Sequence, residues 1–563
     1  MNAELTTGVI QHNPVVGGVA SNAARIADEY AVLREAGADL VVTPELSLIG
    51  YPPRDLLHRP AVLDAQESAL DRLASQTSDG PPLIVGAATR TERDTGPPLY
   101  NAAVVLRDGT QSEAYHKRLL PTYDVFDEHR YFRPGSEPLV VDVAGTDVGV
   151  TICEDAWQDV IVTGTQRHEE RPLMDTAAAG ADLILTLSAS PFSLNKPARR
   201  ESRFLAHAAQ TTCPVVFVNQ VGGNDELIFD GHSLVATKQG LQTQCAGFES
   251  ATDIVDVSLS HQPGDQPSNR EPNASQASEA LALGLRDYFD KTGFEEAVIG
   301  LSGGIDSSVA AALAVDALGA DNVYGVSLPS EVTSQQSVTD AEAVATNLGI
   351  EFDVVPIGPT VEALSETLAE NTTSLTGVAA ENVQARIRGD VLMGIANQRN
   401  ALVLTPDNKS EAAVGYCTLY GDAVGALAPL GDCYKRLVYE LAGVYNESLS
   451  ASSASSPVIP VSVIEKEPTA ELRAGQTDEQ ELPAYDVLDA ILEQYVEQDG
   501  DLSSIREAHP DHVIDDVLRR VASAEFKRRQ TPPPLRVTQK SLGRGWNYPV
   551  AAVYEHIFNL EWA

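Results

Sequence analysis

The stretch Gly300-Leu301-Ser302-Gly303-Gly304-Ile305-Asp306-Ser307-Ser308 follows the apolar run Ala297-Val298-Ile299 and precedes an alanine-rich run from Val309. That order predicts a strand, a tight glycine turn and a helix start. Such a turn suits phosphate. Glycines let backbone N–H groups approach an anion, serine hydroxyls donate further hydrogen bonds, and the helix N-terminus adds the positive end of its dipole. Asp306 is then placed to hold a Mg²⁺ that neutralises polyphosphate. A glycine-rich connection capped by Ser and Asp also serves as an ordinary strand-to-helix loop. The stretch carries neither a Gly-Lys-Ser/Thr phosphate loop nor Gly-x-Gly-x-x-Gly.

The 563 residues exceed what one core holds and predict at least two large domains. Against 80 Asp plus Glu stand 39 Lys plus Arg, a formal charge of −41, which excludes non-specific binding to nucleic acid or an anionic membrane. The same excess suits solubility in high salt, so a halophilic source is one hypothesis. The five cysteines, Cys153, Cys213, Cys245, Cys417 and Cys433, form no C-x-x-C pair. Neither a disulfide framework nor a zinc cluster is expected, and a reducing cytoplasm is the default. No apolar run has the length to cross a bilayer.

Along the chain, apolar strands alternate with helical patterns up to about Val257: Gly8 to Ile10, Ala23 to Ala36, Asp39 to Val42, then Leu83 to Ala87, Ala102 to Leu106, Val148 to Cys153, Leu183 to Leu187 and Val215 to Asn219. This predicts a layered α/β domain with a buried sheet over 1–260. The segment 261–278, rich in Pro, Ser, Asn and Gln without periodicity, reads as a linker. From 279 to 563 a second α/β domain is expected, with strands at Ala297, Val323 and Phe352 in a parallel sheet and ligand at their carboxyl ends.

Three strand ends of the first domain carry chemistry: Glu45 after Val41 to Pro44, Lys117 after Tyr115-His116, and Cys153 after Val150 to Ile152. Singly, each has an ordinary reading as a turn cap, a solvated lysine or a small buried hydrophobe. Together they resemble the Glu, Lys, Cys triad of the nitrilase superfamily, and the surrounding segments Thr43 to Leu46, His116 to Pro121 and Cys153 to Trp157 match as well. The resemblance makes Glu45 the general base, Lys117 the oxyanion donor, Cys153 the nucleophile and Glu128 the second glutamate.

The nine-residue glycine stretch is similar to the SGGxDS pyrophosphate loop of the ATP pyrophosphatase family. Over nearly the whole chain the wording resembles the glutamine-dependent NAD⁺ synthetases. That resemblance implies a nitrilase-like α-β-β-α sandwich followed by a Rossmann-like parallel-sheet domain. It implies glutamine recognition by Tyr123, Ser190 and Lys196, ATP at Gly300 to Ser308, deamido-NAD⁺ contacts from Asn382, Glu411 and Lys527, and Mg²⁺ on Asp306 and Glu411. It also implies ATP as a substrate, an ammonia route between the sites and a homo-oligomer, commonly an octamer. Asn382 lies in Glu381-Asn382-Val383-Gln384-Ala385-Arg386-Ile387-Arg388, and Lys527 in the basic run Glu525 to Gln530.

Pro406 stands where the family has a threonine that contacts ATP, and Val332 where it has an aromatic. Two other readings stay open at this point: a different acceptor, as in GMP and asparagine synthetases, against which the segment around Asn382 argues; and an amidase whose second domain only senses nucleotide.

Overall fold

The computed structural model describes residues 4–93, 95–162, 165–258, 273–449, 457–498 and 502–552. The chain divides into two compact units, Met1–Glu271 and Pro272–Ala563.

In the first unit the described residues form two six-stranded sheets. Short, nearly continuous runs of Val, Leu and Ile, such as Leu40–Val42 and Leu183–Ser188, are buried along their whole length, as strands covered on both faces must be. Alternate residues point to opposite sides. Val42, Ile84 and Val105 of one sheet meet Ile152, Leu185 and Val216 of the other in a shared core, while Val41, Leu83 and Val85 pack against the helices Val19–Glu35 and Pro60–Gln76. On the far side Ile184, Val215 and Phe217 pack against the helix Lys196–Thr211. The layers are helix, sheet, sheet, helix, the sandwich expected.

The first sheet places Glu4–Gln11, Leu40–Val42 and Leu83–Arg90 parallel to one another. Leu99–Arg107 returns antiparallel, and Thr110–His116 turns back again beside it. The strand ending at His116 therefore runs with Leu40–Val42, and Glu45 and Lys117 leave the same edge of the sheet. Thr146–Ile152 lies parallel to Leu183–Ser188 in the second sheet and ends at Cys153.

The second unit has a four-stranded, all-parallel sheet in the order Glu351–Val354, Val323–Ser327, Ala297–Gly300, Leu402–Leu404. The order reverses at the strand carrying the glycine turn, which is where an open α/β sheet leaves a crevice for ligand. The helix Asn273–Thr292 takes up the last six residues of the expected linker, because Ala274, Ala277 and Ser278 are buried core positions with helical spacing. The rest of that linker, and the Ala451 to Ser456 run, lie outside the described residues.

Candidate active site

In the first unit, Glu45, Lys117 and Glu128 are all buried and form one charged cluster. Lys117 Nζ donates to Glu45 Oε1 at 2.7 Å and to Glu128 Oε1 at 2.8 Å. Asn101 Nδ2 adds a 2.7 Å bond to Glu45 Oε1, the Ala189 N–H binds Glu45 Oε2 at 2.9 Å, and Tyr51 donates to Glu128 Oε1 at 2.8 Å. The Glu45 turn lies flat on the next strand because Gly86 has no side chain; a Cβ there would stand 2.2 Å from the Pro44 carbonyl.

Burial pulls the Lys117 ammonium down, but Glu128 and Glu45 outweigh it and hold the group charged, well above its usual range. Burial pushes Glu128 up to about 7, with Lys117 opposing and Glu45 adding to the rise. Burial and then the Glu45 carboxylate push the Cys153 thiol above its ordinary value, with Lys117 opposing. Burial thus favours the thiol form of Cys153, with the Glu45 carboxylate as a neighbour. Cys153 itself has φ of +44°, a left-handed backbone that costs a non-glycine residue on the order of 1–3 kcal/mol.

Of the residues expected to recognise glutamine, Tyr123 donates to Glu154 Oε2 at 2.8 Å, on the residue next to Cys153. Ser190 follows Ala189, whose N–H binds Glu45, and its own N–H donates to Asn219 Oδ1 at 2.9 Å. Lys196 opens the helix Lys196–Thr211, 5.9 Å over the Trp157 ring, and donates to the Pro191 carbonyl at 2.6 Å.

In the second unit the glycine turn borders a cavity of about 250 Å³. Seven of its nine residues line the wall; Gly303 and Ser308 do not. Gly303 has φ of +72° and lies against the neighbouring helix, where a Cβ would stand 2.1 Å from the Ser337 carbonyl. Ser308 turns its hydroxyl back to the Gly304 carbonyl at 2.8 Å. Asp306 and Glu411 share one cation, the buried Lys435, whose Nζ lies 2.6 Å from Asp306 Oδ2 and 3.0 Å from Glu411 Oε1. Asn408 caps the Glu411 helix and donates to Asp306 Oδ1 at 3.0 Å. Burial pushes Glu411 up to about 7, Lys435 opposing and Asp306 and Asp478 adding.

Two carboxylates that share a cation beside a phosphate-suited turn are a hard-oxygen pair that fits magnesium. Among the described residues no cluster of three or more metal-type side chains occurs, so phosphate oxygens and water would complete the shell.

Residues 6–261 match the family model for carbon-nitrogen hydrolases and residues 277–531 that for NAD synthases. The chain is 41% identical over 558 residues to the glutamine-dependent NAD(+) synthetase of Synechocystis, covering 98% of this chain and 99% of that one. It is 40% identical to that of Aquifex aeolicus, covering 97% and 99%. The chain belongs to the glutamine-dependent NAD(+) synthetase family. The structure of the Acinetobacter baumannii glutamine-dependent NAD+ synthetase in complex with adenosine diphosphate has a TM-score of 0.75 at 35% identity, with 97% and 98% coverage. That of the Cytophaga hutchinsonii glutamine-dependent NAD(+) synthetase superposes with a TM-score of 0.83 at 19% identity, over 99% of both chains, and shares the fold.

In this synthetase, Asn382 and Lys527 stand outside the cavity wall but converge on one segment. Asn382 accepts from Thr418 Oγ1 at 2.8 Å, and Lys527 donates to the carbonyls of Gly415 and Cys417, each at 2.7 Å. Their neighbours in the basic run are not free for phosphate: Arg528 is buried, and both it and Arg529 pair with Glu525. Pro406 lines the cavity without a hydroxyl to offer.

Sequence reasoning missed four synthetase residues. Lys435 and Asn101 carry no local signal, since each meets its partners only through the fold. Asp407 lines the cavity with a buried Oδ2 that lacks a partner. Burial and the carboxylates of Asp422, Glu411 and Asp306 hold it well above the carboxylate range. Asp155, buried two residues after Cys153, accepts four hydrogen bonds from Tyr115, Ile152, Arg118 and Leu119. Burial pushes it up to about 6, and the bonds from Ile152 and Leu119 pull it back.

Proposed function

We propose that the chain makes NAD⁺ from deamido-NAD⁺, ATP and glutamine, with ammonia released in the first unit and used in the second. The observation that carries the first half is the Lys117 ammonium held between Glu45 and Glu128 beside the Cys153 thiol.

Glu45 takes the thiol proton as the sulfur attacks the glutamine side-chain carbonyl, and Lys117 stabilises the oxyanion. The proton on Glu45 leaves with the departing amine as ammonia, and the glutamyl thioester remains on sulfur. Water, deprotonated by the same carboxylate, then releases glutamate and restores the thiol. Tyr123, Ser190 and Lys196 are assigned to glutamine binding, Tyr123 through its bond to the residue next to Cys153.

In the second unit the nicotinate carboxylate attacks the α-phosphorus of ATP, forming a C–O–P bond as pyrophosphate departs. Ammonia attacks the adenylated carbon, AMP leaves, and the amide is complete. The turn from Ser302 to Ser307 offers hydroxyls and backbone donors to the departing pyrophosphate, and Lys435 is the buried cation nearest Asp306. Asp306 and Glu411 would hold Mg²⁺, which supplies charge neutralisation of phosphate. Asn382, Glu411 and Lys527 are assigned to deamido-NAD⁺. No described helix is long and apolar enough to cross a membrane, and a cytoplasmic homo-oligomer is the form proposed.

The test is AMP release from ATP with deamido-NAD⁺, xanthylate or aspartate as acceptor. Release with deamido-NAD⁺ alone is expected. Release with another acceptor refutes the assignment, and glutamine hydrolysis without AMP from any acceptor favours a sensing domain.

A further inference from the structure

Asp155 lies two residues after Cys153, with its side chain fully buried. Its Oδ2 accepts from the Ile152 N–H at 2.9 Å, one residue before the nucleophile, and from the Tyr115 hydroxyl at 2.8 Å. Its Oδ1 accepts from the Leu119 N–H at 2.9 Å and the Arg118 N–H at 3.2 Å. Tyr115 precedes Lys117 by two positions on the strand Thr110–His116, and Arg118 and Leu119 follow it directly. One carboxylate thus grips the Lys117 segment on both sides and the nucleophile turn at its root. These two segments come from different sheets. The bond to Ile152 also closes the turn in which Cys153 keeps its left-handed backbone.

We infer that Asp155 is a positioning residue of the glutaminase reaction, setting the Cys153 sulfur against the Lys117 ammonium by holding their two segments together. This rests on the reading of Cys153 as nucleophile and Lys117 as oxyanion donor. Asp155 does not touch substrate; it acts through the other two. The physical reason is the number of donors. Four converging donors require an acceptor with lone pairs on both oxygens, which an ionised carboxylate supplies and an amide does not. In Asp155→Asn the amide nitrogen faces N–H groups on one of its two sides, and the segment on that side has to shift. A displacement of about 1 Å at a reacting centre costs on the order of 100-fold in rate. Because Lys117 lowers the thiol's affinity for its proton, retreat of the ammonium raises the pH at which the thiolate forms.

The experiment uses the full chain and three readouts: glutaminase kcat and KM, the pH dependence of Cys153 alkylation by iodoacetamide followed by peptide mass, and ammonia-driven NAD⁺ formation. For Asp155→Asn, kcat is expected to fall about 100-fold with KM changed less than about threefold. The alkylation midpoint is expected to move up, and ammonia-driven synthesis to persist. Tyr115→Phe removes one donor and keeps the carboxylate, and should move kcat and midpoint the same way by less.

If Asp155→Asn folds and keeps kcat within about threefold, or loses it only in proportion to unfolded protein with an unchanged alkylation profile, the inference falls. If it does not fold, Tyr115→Phe decides: an unchanged kcat and profile overturn the inference. Failure of the underlying site reading is distinguishable, because Cys153→Ala would then retain glutaminase activity.

Discussion

The Nζ of Lys435 stands 2.6 Å from Oδ2 of Asp306, although 129 residues separate them in sequence. The same ammonium reaches Glu411, so one buried cation neutralises two carboxylates beside the glycine turn. Replacing it by Met leaves two half-buried carboxylates without their shared cation, which destabilises the fold around the turn. Lys435→Met should therefore lower the denaturant midpoint of the second unit, and Mg²⁺ with ATP should restore part of it. An unaltered midpoint would show that the pair is not coupled to the fold.

Cys153→Ala removes the proposed nucleophile but leaves the charged cluster of Glu45, Lys117 and Glu128 in place. Glutamine-driven NAD⁺ formation should disappear while ammonia-driven formation stays within about twofold. Parallel loss of both rates would refute separate sites.

Gly303→Ala introduces a Cβ 2.1 Å from the Ser337 carbonyl at a φ of +72°. The carbonyl belongs to the helix Gln335–Leu348 and cannot yield without unseating it. ATP-dependent AMP release should fall by at least about 100-fold, with glutaminase turnover preserved in the other unit. Full AMP release would show that the turn tolerates another backbone path.

Burial raises Glu128 and Glu411 from 4.5 to about 7. Each holds its proton more tightly folded than unfolded. Their contribution to stability is complete below the unfolded value, declines as pH rises through the interval, and is lost above about 7. The slope is at most about 1.4 kcal/mol per pH unit for each group. Urea titrations across that window should show wild type losing stability with pH, and Glu128→Gln losing less of it. An identical slope in both would remove Glu128 as the source.

With 80 acidic against 39 basic residues, self-repulsion opposes compactness. Screening by KCl should raise the melting temperature, and a flat or falling response would count against a halophilic design.

What could be read from the sequence follows from what each residue's signal depends on. Leu183–Ser188 and Val215–Asn219 are apolar along their whole length, and local pattern alone marks them as strands. Thr110–His116 escapes the same test because it is an edge strand, exposed over its first five residues and polar in composition. Yet it delivers Lys117, whose only sequence signal is the His116 to Pro121 segment around it. Asn101 and Lys435 act through partners 24 to 129 residues away, and Asp155 ties its own turn to a segment 36 to 40 residues back, a geometry that no window of sequence contains. Arg528 shows that membership of a basic run does not fix a side chain's direction: its guanidinium faces inward to the carbonyls of Ala413 and Val521.

The strands Glu4–Gln11 and Ala251–Ser258 pair antiparallel over eight residues, joining the beginning of the first unit to its end. During synthesis the opening strand must wait, one side bare, until some 250 further residues have left the ribosome. A truncated transcript ending before Ala251 would strand it there, an open template for pairing with its neighbours. Cutting the circle at the exposed Asp108-Gly109 hairpin and splicing the old ends would let the sheet close on local contacts instead.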